Sequence, residues 1–169
     1  MYQTRVARRV GVLADDVRVV DRTMSHIHLR DDELPALEYA LRHIPSSDVS
    51  RDGTSGFTFR FPMPIGENIC VPTTENDTIV YARRRGRDRF NRFVLFREPE
   101  PTHNLSVVLL WGYSYESCTL VTAHWGELAA LQPQSSASFS AFWQNHALLI
   151  DRVDIENQTV TPRRPPEWA

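Results

Sequence analysis

From Gly53 to Ala123 the apolar residues come in strand-length pieces broken by proline and glycine, and this pattern constrains the fold more than any other feature. Phe57, Phe59 and Phe61 alternate with Thr58 and Arg60, the period-two mark of a half-buried strand. Pro62 and Pro64 end it, because proline cannot donate to a strand ladder. Further strands are predicted over Ile69–Val71, Thr78–Arg83, Arg92–Phe96, Leu105–Trp111 and Cys118–Ala123. Gly86 in Arg85-Gly86-Arg87-Asp88 supplies a hairpin turn, and Glu98-Pro99-Glu100-Pro101 another break. Consecutive antiparallel strands joined by short turns therefore make up the middle of the chain. Ahead of them, Val10, Val12, Val17, Val19 and Val20 suggest a short strand or two.

Helical spacing flanks this region. Leu34, Leu37, Leu41 and Ile44 recur at intervals of three and four, one buried helical stripe. Asp31 or Asp32 suits its N-cap, Pro35 fits its first turn, and Pro45 ends it. Thr23 or Ser25 can cap a short helical turn just before. After the loop Gln132–Ser136, Ser138 caps a final helix with Phe139, Phe142, Trp143, His146 and Ile150 on one face. The expected class is α+β, in one domain over 1–160 with an extended tail over 161–169.

The chain has 169 residues, enough to bury a core without staples. Its longest apolar stretch, Val107–Trp111, is far short of the roughly 20 residues of a membrane span. Met1-Tyr2-Gln3-Thr4-Arg5 leads into no apolar signal core, so a soluble, cytoplasmic protein is expected. Cys70 and Cys118 are read as reduced core thiols. Neither has a second cysteine nearby, so no thiolate zinc site is expected, nor any other metal or cofactor.

A formal charge of −2 conceals an uneven distribution: all 19 basic residues are arginine, and seven of them fall between Arg83 and Arg97. A codon preference explains the missing lysines but not the clustering. Alternation puts Arg83 and Arg85 on one face of their strand, with Arg87, Arg89 and Arg92 returning across the turn. Like charges this close repel unless an anion or carboxylates compensate, and Asp88 is the sole acid in the run Arg83–Arg92. Guanidinium forks match phosphate, which points to a phosphate, RNA or acidic protein ligand. The bland reading is a solvated hairpin tip kept charged against edge-to-edge aggregation.

His26 and His28 stand two apart, followed by Arg30. That spacing is wrong for a metal pair on a helix, which wants three or four. Acid–base chemistry suits them better, since histidine titrates near neutrality, although each taken alone also serves as a capping or surface residue. His124 ends a buried-looking strand, where a residue is well placed to line a cleft. His146 is expected as a hydrogen-bonded core histidine on the last helix. His43 and His103 carry no signal.

Three passages together resemble the barnase–EndoU–colicin–RelE group of small ribonucleases, especially its phage- and toxin-associated branches. They are His26-Ile27-His28-Leu29-Arg30 leading into the Leu34–Ile44 helix, the strand pair around Thr78–Phe96, and Leu120-Val121-Thr122-Ala123. The resemblance covers roughly residues 17 to 150, in pattern and element order, and Phe142–Leu148 is similar to the endings of uncharacterised relatives. It implies N-terminal helices packed on a curved antiparallel β-sheet, with a C-terminal helix. One departure is the absence of lysine, while several histidines compete for the proton donor.

What the resemblance implies is a toxin-like, metal-independent ribonuclease that cleaves RNA by attack of the 2′-hydroxyl on phosphorus. His26 or His28 would be the base, His124 the acid, and Thr122 a hydrogen-bond donor to a phosphate oxygen. Arg92, with Arg83 or Arg85, would stabilise the phosphorane, while Arg30, Arg87 and Arg89 would help bind the substrate. A toxin also implies a neutralising antitoxin or immunity partner. The alternative is a non-catalytic RNA- or protein-binding module that uses the Arg83–Arg92 hairpin. A third is an antitoxin- or immunity-type protein, to which Asp31-Asp32-Glu33 and the Glu98/Glu100 pair give weak support.

Overall fold

The alternation of Phe57 and Phe59 is realised in a strand, Thr54–Arg60 (β3), whose residues are alternately exposed and half-buried. The computed structural model describes residues 8–84, 91–112, 117–128, 145–157 and 160–162, of which 8, 9, 22–26, 28, 83, 84, 91 and 161 are described by backbone alone. By contacts the chain groups into two compact units. Residues 1–66 with 102–128 form the first, and 67–101 with 129–169 the second.

The first unit holds β1 (Arg8–Val12), β2 (Arg18–His28), β3, β9 (Asn104–Trp111) and β10 (Ser117–Trp125) in the order β1-β2-β10-β9-β3. All neighbours are antiparallel except β2 and β10, which run parallel. A three-residue 3-10 turn, Asp31–Glu33, leads into the eight residues of α1 (Leu34–Leu41), with Pro35 in its first turn as predicted. Leu37, Ala40, Leu41 and Ile44 form a stripe that buries against Leu105, Val107, Leu109 and Trp111 of β9 and Cys118, Leu120, Ala123 and Trp125 of β10. Trp111 Nε1 donates to Val49 O at 2.6 Å, which satisfies its buried indole.

The second unit holds β5 (Cys70–Pro72), β6 (Thr78–Arg84), β7 (Asn91–Leu95), β11 (His146–Leu149) and β12 (Val160–Pro162), in the order β12-β6-β7-β11-β5. Its neighbours are antiparallel except β7 and β11. Apolar residues collect on both faces of this sheet. Val71, Val94 and Ala147 lie on one, and Ala82, Phe93 and Val160 on the other. A five-residue helix, α2 (Arg152–Glu156), precedes β12. The chain passes between the units along β4 (Gly66–Asn68) and β8 (Glu100–Thr102), which pair as a two-stranded ribbon.

The expected α+β arrangement is overturned by this sheet-dominated architecture. Among the described residues no helix stands ahead of the first sheet strands: β1 and β2 come first, and the helical turn expected near Thr23 or Ser25 is part of β2. β2 is drawn into the sheet by β10, whose carbonyls and amides pair with it from Arg18 to His28. The C-terminal helix is also corrected. His146–Leu149 is a strand held between β5 and β7, while Ser138, Phe139, Phe142 and Trp143 lie outside the described residues. Ala147 and Leu148 feed opposite faces of the second sheet, so an unbroken apolar run there is the signature of a strand buried on both sides. His146 accordingly belongs to a strand, not to a helix face.

The strands expected over Thr78–Arg83, Leu105–Trp111 and Cys118–Ala123 form as β6, β9 and β10. The Gly86 turn lies outside the described residues. Both cysteines are buried and free; burial pushes the Cys70 thiol up to about 12 and the Cys118 thiol to about 11, which leaves both inert near neutrality.

Candidate functional site

Two sets of polar residues are assembled, one in each unit. In the first unit, the sheet turns Leu105, Val107 and Leu109 to the core, so Ser106 falls on the opposite face. The same logic applied to Phe57 and Phe59 of β3 puts Thr58 on that face too. Cross-strand register then aligns Thr58 with Ser106, Ser106 with His124, and His124 with position 28 of β2. One row further along, Gly56, Val108, Thr122 and position 26 are aligned in the same way.

A bulge creates this alignment. Between Leu120 and Thr122 the β10 register advances by one residue on β9, from Leu109 to Val108, and from Asp21 to His26 on β2. The extra residue reverses the alternation, so Leu120 and Ala123 both face the core while Thr122 and His124 share the other face. The register thus brings four named candidates beside one another in pairs: His26 with Thr122, and His28 with His124. The side chains of His26 and His28 lie outside the described ones.

His124 has no exposed surface. Its Nε2–H donates to Glu127 O at 2.9 Å, and its Nδ1 is buried with no partner among the described residues. Burial holds its pKa below the ordinary histidine range, and the bond to Glu127 only partly opposes that. The role of proton donor expected for His124 is not what this environment supports. A neutral, fully covered imidazole that spends its one proton on the adjacent turn has none to give a leaving group. Ser106 is equally enclosed: its Oγ donates to Gly126 O at 2.6 Å and lies 3.2 Å from Thr58 Oγ1. The row Thr58–Ser106–His124 ties the Gly126–Glu127 turn to the sheet.

Arg30, expected to help bind the substrate, is engaged with neighbouring carboxylates. Its side chain is exposed, but its guanidinium lies 3.4 Å from Asp32 Oδ1 and 3.1 Å from Glu33 Oε1. Two carboxylates already offset its charge.

In the second unit, Arg92 on β7 is half-buried and stands in register with Tyr81 on β6. Its Nη2 donates to Thr73 Oγ1 at 3.3 Å. Thr73 is itself fixed, since its N–H and Oγ1 both donate to Asn145 O, at 2.9 and 3.1 Å. Arg83 occupies β6 two residues beyond Tyr81, with its side chain outside the described ones; Arg85, Arg87 and Arg89 lie outside the described residues altogether. The expected gathering of arginines with histidines is thus divided by unit: Arg83 and Arg92 in the second, His26, His28, Thr122 and His124 in the first.

The chain matches no family model, no curated protein and no solved structure. The ribonuclease resemblance therefore stands on residue pattern alone. Among the described residues, no three or more His, Cys, Asp or Glu gather as a metal site would require. Nor is any helix among them long and apolar enough to cross a membrane, a finding that does not bear on β-barrels.

Sequence reasoning passed over Tyr81, Thr73 and Ser106. Counting outward from Gly86-Arg87 does pair Tyr81 with Arg92, so that partner had a signal in the hairpin turn. Thr73 and Ser106 had none, because both acquire their roles from strands distant in the chain.

Proposed function

We propose that this protein binds RNA in the cytoplasm through the β6–β7 strand pair, with Arg92 gripping a phosphate. The observation that carries this reading is the half-buried Arg92, steadied by the Thr73 hydroxyl and set opposite Tyr81. A guanidinium held this way loses little rotamer freedom on binding a phosphate. Seven of the chain's 19 arginines fall between Arg83 and Arg97, against a net charge of −2 overall. Attraction to a polyanion therefore comes from a local basic stripe rather than from the whole-protein charge.

The test is the salt dependence of binding to a labelled single-stranded RNA. Each phosphate that a guanidinium neutralises contributes about 0.7 to the slope of log K against log salt. Arg92→Ala should reduce affinity roughly tenfold at low salt and flatten the slope by about the share of one phosphate. An unchanged slope in Arg92→Ala, or wild-type protein that does not bind, overturns the reading.

The ribonuclease reading is favoured by a different observation, the register of His26 with Thr122 and of His28 with His124. Its test is incubation with RNA in EDTA. Ends bearing a 2′,3′-cyclic phosphate, lost in His26→Ala or His28→Ala but kept in His124→Gln, would favour cleavage over binding alone. RNA that stays intact with wild-type protein would leave the binding module. As a toxin the enzyme would have a neutralising antitoxin or immunity partner, and its expression alone would halt growth.

A further inference from the structure

Directly after β7, Phe96 combines two costly properties. Its φ is +60°, the left-handed region that a bulky aromatic rarely enters, and the residue is 70% exposed. An exposed phenyl ring gains little from burial, and strained backbone persists only where the surroundings impose it. The surroundings here are identifiable. Leu95 on one side is buried and in register with Thr78 of β6. Arg97 on the other side donates to Pro72 O, to Asp77 Oδ2 at 3.2 Å and to Glu100. Asp77 is fixed in turn by the Thr74 N–H at 2.6 Å. The chain is pinned on both flanks, and the turn between them carries the ring outward.

We propose that Phe96 is a stacking platform for a base of single-stranded RNA; this rests on the RNA-binding reading above. Arg92 and Phe96 are four residues apart, about 13 Å at a strand's rise, a distance that a short single strand covers. A phosphate on Arg92 and a base on Phe96 would thus be held by β7 and by the pinned turn that directly follows it. Aromatic stacking needs no particular hydrogen-bond pattern, so Phe96 would add affinity for unpaired bases with little sequence preference. Duplex RNA, its bases already stacked on one another, would gain nothing from the ring.

Four variants test this: Phe96→Trp, Phe96→Leu, Phe96→Asn and Arg92→Ala. Asparagine tolerates the left-handed conformation, so Phe96→Asn should unfold at an equal or higher denaturant concentration than wild type while binding single-stranded RNA roughly 5- to 150-fold more weakly. Phe96→Leu, apolar but not aromatic, should lose affinity similarly, and Phe96→Trp should keep it. Fluorescence of 2-aminopurine placed in the strand should be quenched by wild type and Phe96→Trp only. Affinity of Phe96→Asn or Phe96→Leu equal to wild type, with Arg92→Ala still impaired, overturns the stacking role and leaves the RNA reading intact. Clear destabilisation of Phe96→Asn would instead make the ring a packing element and also overturn it. Failure of wild type to bind RNA removes both proposals together.

Discussion

Gly66→Ala is expected to destabilise the first unit by about 3 kcal/mol or more, the scale of severe overpacking. A Cβ built at Gly66 would lie 2.0 Å from Trp125 Cδ2 and 2.3 Å from its Cε2. These are the ring atoms of a buried indole, which cannot swing aside as the end of a flexible side chain would. Trp125 is 3% exposed and lies among the core aromatics, with its ring centroid 6.2 Å from that of Phe61. The strand must therefore move, and β4 gives up its place against the ring. Urea unfolding followed by tryptophan fluorescence measures the loss. Trp125→Leu shortens the obstructing side chain, so the double variant should cost clearly less than the sum of the two single changes. A Gly66→Ala protein within about 1 kcal/mol of wild type would mean that the indole does not pack on the Gly66 backbone.

His124 yields the second large effect, and it depends on pH. Its folded pKa is depressed below 6.5 by burial, while the unfolded chain titrates near that value. Below pH 6.5 the unfolded state therefore binds the extra proton. Stability from this group is complete above that pH and is lost as the pH falls toward the folded value. The slope from one such group reaches at most about 1.4 kcal/mol per pH unit. Glutamine can still donate to Glu127 O but cannot titrate, so His124→Gln should flatten the acid limb relative to wild type. His124→Ala both empties a packed site and orphans that carbonyl, at a cost of about 3 kcal/mol near pH 8. Denaturant unfolding between about pH 5 and pH 8 compares the three proteins. Parallel profiles for wild type and His124→Gln would show that the buried imidazole is not the acid-sensitive group. The two predictions meet at the end of β10, where His124 and Trp125 face opposite sides of the same sheet.

Those adjacent residues also mark where local pattern stops being informative. Period-two reading located β6, β9 and β10 because each has a run of apolar residues bounded by turn chemistry. Helical spacing of Phe139, Phe142, Trp143, His146 and Ile150, by contrast, assigned the stretch that includes His146–Leu149 to a helix. A short apolar run buried on both faces satisfies either period, and only pairing with β5 and β7 decides between them. His124 looked like a residue at a cleft because it ends a strand. Its enclosure depends on Ser106, Glu127 and the face that the bulge at Val121 assigns to it, which no pattern in its own strand announces.

By itself, the amino-acid sequence determined several local conformations: the strands β6, β9 and β10, the Leu34–Leu41 helix with its proline in the first turn, and the antiparallel pairing of β6 with β7 that sets Tyr81 opposite Arg92. Such features follow from the steric preferences of neighbouring residues, and neighbours are written in order. Tertiary structure alone decided that two parallel pairs, β2 with β10 and β7 with β11, split the strands between two sheets. It alone assigned the candidate histidines to one unit and Arg83 and Arg92 to the other, and it alone turned Phe96 outward through the grip of Arg97 on Pro72, Asp77 and Glu100. Parallel pairing joins residues far apart in the chain, beyond the reach of any short-range preference that could be read from neighbours.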